Sequence, residues 1–266
     1  MGLAIDTIGF SATAPGSTYT AVTYSPGDSP VVRAYAAGSS ATLEAITRSG
    51  ATGGDIRVRS PLLHDNVQGI RLRSSERVSH WLMPRELGQV LQPQDTLTIE
   101  LTGGTTSEVD AGAILIYYSN LPGASARLHS WGDVSGIIKS YKPIRVSVTT
   151  GATAGQWTDA VITASENLLH ANTDYAVLGI TVDTGVTAVA LKGVDTSNLR
   201  VGCPGPNDAI NTSDYFVELT VRHGTPHIPV FNSANAGNTY VSVLADTAST
   251  AVNVTVHAVE LTQNLP

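Results

Sequence analysis

The chain has 266 residues, of which 42% are hydrophobic, enough for one large β domain or two domains of common size. Only 14% of the residues are charged, well below the roughly 25% usual for soluble domains, so we expect the surface to associate with other molecules. The net charge of −7 argues against general nucleic-acid binding but leaves a local basic patch possible, and the single cysteine, Cys203, excludes a module held by internal disulfides.

The N-terminal stretch, MGLAIDTIGFSATAPG, lacks the basic region and the long apolar core of a secretory signal. No run of about 18 apolar residues occurs, so the sequence predicts no membrane-spanning helix. We expect Cys203 to be a small buried hydrophobic residue.

Apolar and polar residues alternate in short runs separated by Gly, Pro, Asn, Asp and Ser, which predicts an all-β sandwich or barrel. The predicted strands, in chain order, are Thr18–Tyr24, Val31–Ala36, Asp55–Arg59, Gly69–Arg73, Thr96–Leu101, Ala113–Tyr118, Ile144–Thr149, Tyr175–Asp183, Val186–Leu191, Tyr215–Arg222, Tyr240–Leu244 and Val252–Leu261. Capping residues and prolines predict three short helices, at Ser60–Gly69, Met83–Leu91 and Thr163–His170.

A turn-rich stretch at residues 120–125 predicts a boundary between two domains, 1–122 and 123–266. Both halves end on a similar pattern, 96–118 and 240–261, in which two strands flank a short turn, so we expect each half to close on a hairpin. Each half has about the strand number of an eight-stranded jelly roll, and the prediction is two jelly-roll barrels or sandwiches in tandem with a few short helices. A single sandwich with long insertions is the alternative.

Arginines gather on two predicted strands, Ile56-Arg57-Val58-Arg59 and Ile70-Arg71-Leu72-Arg73. Strand geometry places the arginines of each run on one face and the apolar residues on the other. If the two strands are antiparallel neighbours, four like charges meet on one face and need neutralisation.

Three interpretations of Arg57, Arg59, Arg71 and Arg73 remain open. The face is solvated and neutralised within the chain by Asp55, Asp65, Glu76 or Glu86; or it contacts acidic groups of a neighbouring copy; or it faces packaged nucleic acid. The apolar run 112–118 is also informative, because a strand apolar on both faces must be covered on both, within its domain and by one further contact.

No catalytic, cofactor or metal site is predicted. The stretch Gly132–Gly136 places its serine one position late for a nucleophile elbow. His223 and His227 are separated by glycine and proline, which favours a turn over a two-histidine metal helix. Carboxylates are scattered, although calcium bridging between subunits stays open.

The segments 171–179, 198–205 and 228–235, with paired barrels, low charge and strands rich in Thr, Ala, Gly and Val, resemble the double jelly-roll major capsid proteins of tailless icosahedral viruses, especially bacteriophage forms. The resemblance implies a non-enzymatic, cofactor-free shell protein, made in the host cytoplasm and located in the virion. Its expected partners are further copies in a homotrimeric pseudo-hexameric tile and an icosahedral shell, with other capsid or membrane-associated virion proteins as further candidates.

Two rival functions stay open. A carbohydrate-binding or phage-fibre module predicts an exposed aromatic platform, although only 6% of the residues are aromatic and the three tryptophans are dispersed. A β-sandwich hydrolase requires carboxylates or a His/Ser pair that converge in a cleft.

Overall fold

The computed structural model describes residues 2–50, 54–63, 66–73, 78–83, 89–103, 108–183, 185–206 and 211–266. The strands before residue 122 are β1 (Ala4–Thr13), β2 (Gly16–Ala21), β3 (Thr23–Tyr24), β4 (Ala41–Ser49), β5 (Asp55–Arg59), β6 (Ile70–Arg73), β7 (Val78–Leu82), β8 (Gln89–Leu91), β9 (Thr98–Gly103) and β10 (Val109–Tyr118).

The later strands are β11 (Leu128–His129), β12 (Ile138–Thr149), β13 (Trp157–Val161), β14 (Asp174–Val182), β15 (Val186–Gly193), β16 (Val201–Pro204), β17 (Ile228–Asn232), β18 (Thr239–Ala245) and β19 (Ala251–Leu261). Two helices accompany them, α1 (Trp131–Ser135) and α2 (Tyr215–His223).

The strands form four sheets, two from each part of the chain. In the earlier part, β3-β1-β10-β4-β7, with β8 beside β4, faces β2-β9-β5-β6. In the later part, β11-β17-β14-β19-β12 accompanies β13-β18-β15-β16. Each pair of sheets encloses its own apolar cluster, with Ile8 and Ile114 in the first and Val146 and Val254 in the second.

The same strand order occurs twice. We number eight strands of the first roll from one to eight: β1, β2, β4, β5, β6, β7, β9 and β10. In these numbers the strand orders of its two sheets are 1-8-3-6 and 2-7-4-5. The eight strands β12 to β19, numbered in the same way, give the same two orders. This is the eight-stranded jelly-roll topology, and the predicted fold class is confirmed. The division of the chain between Pro122 and Gly123 stays a prediction.

The two jelly rolls meet sheet against sheet. The outer face of the 1-8-3-6 sheet of the first roll, on β1, β10 and β4, lies against β15 and β16 of the 2-7-4-5 sheet of the second. The contact is built from small side chains: Ala113 packs with Ala188 and Leu244. Gly202 permits close approach, since a Cβ there would lie 2.4 Å from the Thr7 Oγ1 atom.

Backbone and hydroxyl hydrogen bonds cross this junction. The Thr7 amide donates to the Arg200 carbonyl at 3.0 Å, and the Gly202 amide donates to Thr7 Oγ1 at 2.9 Å. Thr47 Oγ1 donates to the Thr187 carbonyl at 3.3 Å. The Thr7 and Gly202 amides and the Thr47 hydroxyl are therefore satisfied by partners on the opposite roll.

Two buried carboxylates reinforce the junction. Asp28 accepts from the Gly9 amide at 2.7 Å, from Trp157 Nε1 at 2.9 Å and from Arg200 Nη1 at 2.8 Å. Glu44 on β4 lies 2.6 Å from His227 Nε2, and both of these side chains are buried. Each carboxylate thus joins groups that are more than 120 residues apart in sequence.

The apolar strand β10 is covered on both faces, as predicted. Ile114 and Ile116 point into the first core, whereas Leu115 and Tyr117 join the cluster of the second roll. The junction between the rolls supplies the second cover, so no partner chain is needed to bury this strand.

Several predicted elements are wrong. Residues 215–222, predicted as a strand, form α2, whose buried residues Tyr215, Phe216 and Leu219 follow a helical spacing. The segment Val31–Ala36 forms only an isolated bridge between Val31 and Thr96. The predicted hairpins do not form, because β9 and β10, like β18 and β19, belong to different sheets, the connection a jelly roll requires.

The three predicted helices also differ. Turns and irregular backbone replace two of the predicted helices, in the described residues of 60–69 and in all of 163–170. Of the predicted helix Met83–Leu91, residues 84–88 lie outside the described residues and 89–91 form β8. The capping residues at these positions belong to turns, because the side-chain to backbone hydrogen bonds that cap helices also stabilise turns. The Gly132–Gly136 stretch, whose spacing does not fit a nucleophile elbow, lies mostly within α1.

Candidate functional site

The arginine runs form neighbouring antiparallel strands, as expected. In the register of β5 and β6, Arg57 lies opposite Arg71, and Asp55 lies opposite Arg73. Ile56 and Val58 are fully buried beneath them. The outer face of β2-β9-β5-β6 is therefore lined by guanidinium groups, and we call it the arginine face.

Glu100 on β9 pairs with two of the four arginines on the arginine face. It lies opposite Arg57 in the strand register. Arg57 Nη2 lies 2.7 Å from Glu100 Oε2, and Arg59 Nε lies 2.9 Å from the same oxygen. The hydrogen bond from Arg59 is the main cause that holds the pKa of Glu100 below its ordinary value, and the Arg57 bond acts in the same direction.

Tyr19 on β2 extends the arginine face. The guanidinium carbon of Arg57 lies 3.9 Å from the centre of the Tyr19 ring, and that of Arg71 lies 5.3 Å away. The Tyr19 hydroxyl donates to Asp55 Oδ2 at 3.3 Å. Burial raises the pKa of Tyr19, and the charge of Asp55 adds to that effect. The ring supports the arginines through cation–π contacts.

Arg71 and Arg73 remain exposed on this face. Within the described ranges neither forms an ion pair, although Asp55 is the cross-strand neighbour of Arg73. Asp65, Glu76 and Glu86, the other acids proposed as intrachain partners, lie outside the described residues. The structure thus brings all four predicted arginines together and pairs two of them within the chain.

Sequence reasoning missed Glu100 and Tyr19. Glu100 alternates with the buried residues Ile99 and Leu101 in a predicted strand, so the sequence alone indicates that the Glu100 side chain points away from the core. That β9 lies next to β5 follows only from the jelly-roll order, in which strands 43 residues apart become neighbours. The position of Tyr19 on the arginine face also follows from the jelly-roll strand order, because β2, which carries Tyr19, pairs with β9.

Away from the arginine face, Cys203 and His227 are engaged in packing. Among the residues that the structure describes, no group of three His, Cys, Asp or Glu side chains could hold a metal ion. Cys203 is buried, and burial raises its thiol pKa. His227 contacts Glu44 and stacks on Tyr117, with ring centres 4.8 Å apart.

The tryptophans make no exposed platform. Each of the three is half-buried, and Trp157 lies at the junction against the Arg200 guanidinium. Tyr141, which is 56% exposed, stacks on His257. No helix among the described residues is long and apolar enough to cross a bilayer.

Comparisons with known proteins give structural neighbours and no sequence relatives. No family model matches the chain, and no curated protein does. The fold is similar to the major capsid protein P2 of bacteriophage PM2, with 9% identity, 98% of both chains covered and a TM-score of 0.26. The STIV major capsid protein has 10% identity, 98% coverage of both chains and a TM-score of 0.23. The PBSX exported protein XepA has 9% identity, coverage of 93% of this chain and 88% of that one, and a TM-score of 0.20.

Proposed function

We propose that the protein is a viral major capsid protein that assembles with further copies of itself into a trimeric, pseudo-hexameric tile of an icosahedral shell. The observation that carries the proposal is the arrangement of two complete jelly rolls with one strand order, packed sheet against sheet through small residues. Two similar barrels in one chain supply six barrels from three copies, and closed symmetry then fixes the set of contacts.

The surface chemistry supports association. The chain carries few charges, and the exposed Arg71 and Arg73 have no ion-pair partner in the described part of the chain. Arginine is enriched in protein interfaces because its planar fork bonds to several acceptors at once. The buried Cys203, His227 and Glu44 serve packing and the junction between the rolls, which supports a structural role.

The oligomeric state of purified protein tests the proposal. Mass measurement by light scattering and negative-stain electron microscopy should show trimers, tiles or shells, and the protein should be found in purified virions. A monodisperse monomer that binds a glycan array would contradict the shell role and favour the binding-module alternative. Assembly that weakens with rising salt would agree with contacts made by exposed arginines.

A further inference from the structure

A buried acid and a buried base meet at the junction between the two rolls. Glu44 lies on β4 of the first roll, and His227 directly precedes β17 of the second. Glu44 Oε2 is 2.6 Å from His227 Nε2, and the two side chains are 4% and 0% exposed. Among the described residues, His227 is the only basic side chain at ion-pair distance from Glu44. The charge of each side chain therefore depends on the other.

Hydrogen-bond geometry fixes the position of one proton on the imidazole ring. His227 Nδ1 is 2.8 Å from the carbonyl oxygen of Thr225, and a carbonyl oxygen can only accept. Nδ1 therefore carries a hydrogen, and the Thr225 hydroxyl, at 3.4 Å, is the more distant neighbour. The contact with Glu44 is made by the other ring nitrogen, Nε2.

The contact between Nε2 and the carboxylate is favourable when it holds one proton. With one proton the two atoms share a hydrogen bond, whether the proton lies on nitrogen as an ion pair or on oxygen as a neutral pair. Without that proton, the Nε2 lone pair faces a carboxylate oxygen, and a buried carboxylate is left without a counter-charge. With a second proton, Glu44 is neutral and a buried imidazolium is left without a counter-charge.

Two aromatic rings pack beside the pair. The Tyr117 ring of β10 stacks on His227 with its centre 4.8 Å away, and burial, aided by the charge of Glu44, raises the pKa of Tyr117 to about 12. The ring of His223, the last residue of α2, lies 5.6 Å from that of His227, and burial lowers the pKa of His223. Both rings are therefore uncharged near neutral pH.

The other titratable and charged groups around the pair lie on β7 and α2, and they are His80, Tyr215, Glu218 and Arg222. Burial lowers the pKa of His80 to about 3 and raises the pKa of Tyr215, so both are uncharged near neutral pH. Arg222 Nη2 lies 3.0 Å from Glu218 Oε1, so these two charges offset each other. The proton between Glu44 and His227 thus decides the net charge at this part of the junction.

We propose that Glu44 and His227 form a latch between the rolls that is closed by a single shared proton. Alkali opens the latch by removing that proton, and acid weakens it by adding a second. The latch belongs to one chain and goes beyond the proposed shell role, since it operates in a monomer as well as in an assembly.

The number of bound protons gives the pH dependence its sign. A histidine of the unfolded chain loses its second ring proton above about pH 6.5, and an unfolded glutamate takes up a proton below about pH 4. Above about pH 6.5 the closed latch holds one proton more than the unfolded chain, so its contribution to stability falls as pH rises. Between about pH 4 and pH 6.5 the two counts are equal and the contribution is constant, and below about pH 4 it falls again.

The variant Glu44→Gln separates a proton latch from an ordinary hydrogen bond. A glutamine amide donates to the unprotonated Nε2 of a neutral histidine, so the variant keeps the contact without a shared proton. In urea unfolding, the ratio of the wild-type to the variant unfolding constant should rise by up to about tenfold per pH unit between about pH 5 and pH 9. Groups that titrate alike in both proteins cancel from this ratio.

Glu218→Gln is the matched control, because it makes the same change in a partly exposed ion pair nearby. The corresponding ratio for this control should vary by less than about twofold over the same range. A flat ratio for Glu44→Gln would overturn the latch.

Nitrogen-15 NMR of histidine-labelled wild-type protein reads the proton directly and needs no folded variant. Cross-peaks to the stacked Tyr117 ring identify the His227 signals. Between about pH 5 and pH 6, Nδ1 should have the chemical shift of a protonated ring nitrogen, and on titration with alkali only Nε2 should lose its hydrogen. An Nδ1 with the shift of an unprotonated nitrogen would contradict the proposal.

Amide hydrogen exchange, corrected for its intrinsic pH dependence, shows whether the latch holds the rolls together. The Thr7 and Gly202 amides, which bond across the junction, should lose protection between about pH 6.5 and pH 9. Amides between β12 and β19, which lie within one roll, are the control and should stay protected. Junction amides that remain as protected as the control would overturn the inference, whereas the proposed shell role would stand.

Discussion

Replacement of Asp28 by alanine should weaken the junction between the two jelly rolls. The Asp28 side chain is 5% exposed and accepts hydrogen bonds from Gly9, Trp157 and Arg200. Burial raises the pKa of Asp28, although the hydrogen bond from Gly9 and the charge of Arg200 act in the opposite direction. At neutral pH, Asp28→Ala removes the only carboxylate that contacts Arg200 within the described residues.

The magnitude follows from what the truncation leaves behind. Removal of one partner of a buried ion pair costs about 3–5 kcal/mol, because the remaining charge is buried without a partner. The Arg200 side chain is 13% exposed and can gain some water, so we expect a loss near the lower end, about 3 kcal/mol of unfolding free energy. Asp28→Asn keeps the shape and one acceptor oxygen, and its loss should be smaller, about 1–2 kcal/mol.

Urea unfolding followed by circular dichroism and tryptophan fluorescence measures this loss, with Trp157 as a reporter beside Asp28. Glu166→Ala, which removes an exposed carboxylate, is the control and should change stability by less than about 0.5 kcal/mol. An Asp28→Ala variant within about 0.5 kcal/mol of the wild type would refute the reasoning that this carboxylate joins the rolls.

Three further predictions concern other groups. Burial, aided by Arg222, lowers the pKa of His80 to about 3, so the unfolded chain takes up the proton first as pH falls. Stability should then fall from pH 6.5 towards pH 3 in acid titrations, and His80→Gln should flatten that fall; an unchanged slope would contradict it. Gly202→Val should separate the sheets at the junction, because its Cβ would overlap Thr7, and calorimetry should show a lower Tm, whereas an unchanged Tm would show that the junction can yield. Because the pKa of Glu100 is lowered in the folded protein, Glu100 contributes stability above pH 4.5, the ordinary pKa of a glutamate, and this contribution is lost as pH falls below 4.5. Glu100→Gln should remove this part of the pH dependence of the unfolding free energy. If the variant unfolds in acid with the same pH profile as the wild type, the pairing of Glu100 with Arg57 and Arg59 is contradicted.

Local pattern predicted the strands whose two sides face different surroundings. β5 alternates between half-buried and buried residues, and its predicted bounds, Asp55–Arg59, are those observed. β1 and β4 were missed because both of their faces are covered, which removes the alternation; β4 even buries Glu44 and Arg48. α2 was predicted as a strand because its aromatic and β-branched residues favour strands, and only packing of Tyr215 and Leu219 against the second core decides for the helix.

The amino-acid sequence by itself determined the all-β class, the inward side of the strands that alternate, and the placement of two arginines on the outer face of each of β5 and β6, since these follow from spacing along a single strand. Tertiary structure decided which strands became neighbours. It brought Glu100 to Arg57 and Asp28 to Arg200, and it set one sheet of each roll against the other. Such pairings join residues that are 43 and 172 positions apart, and no local periodicity encodes a contact across that distance.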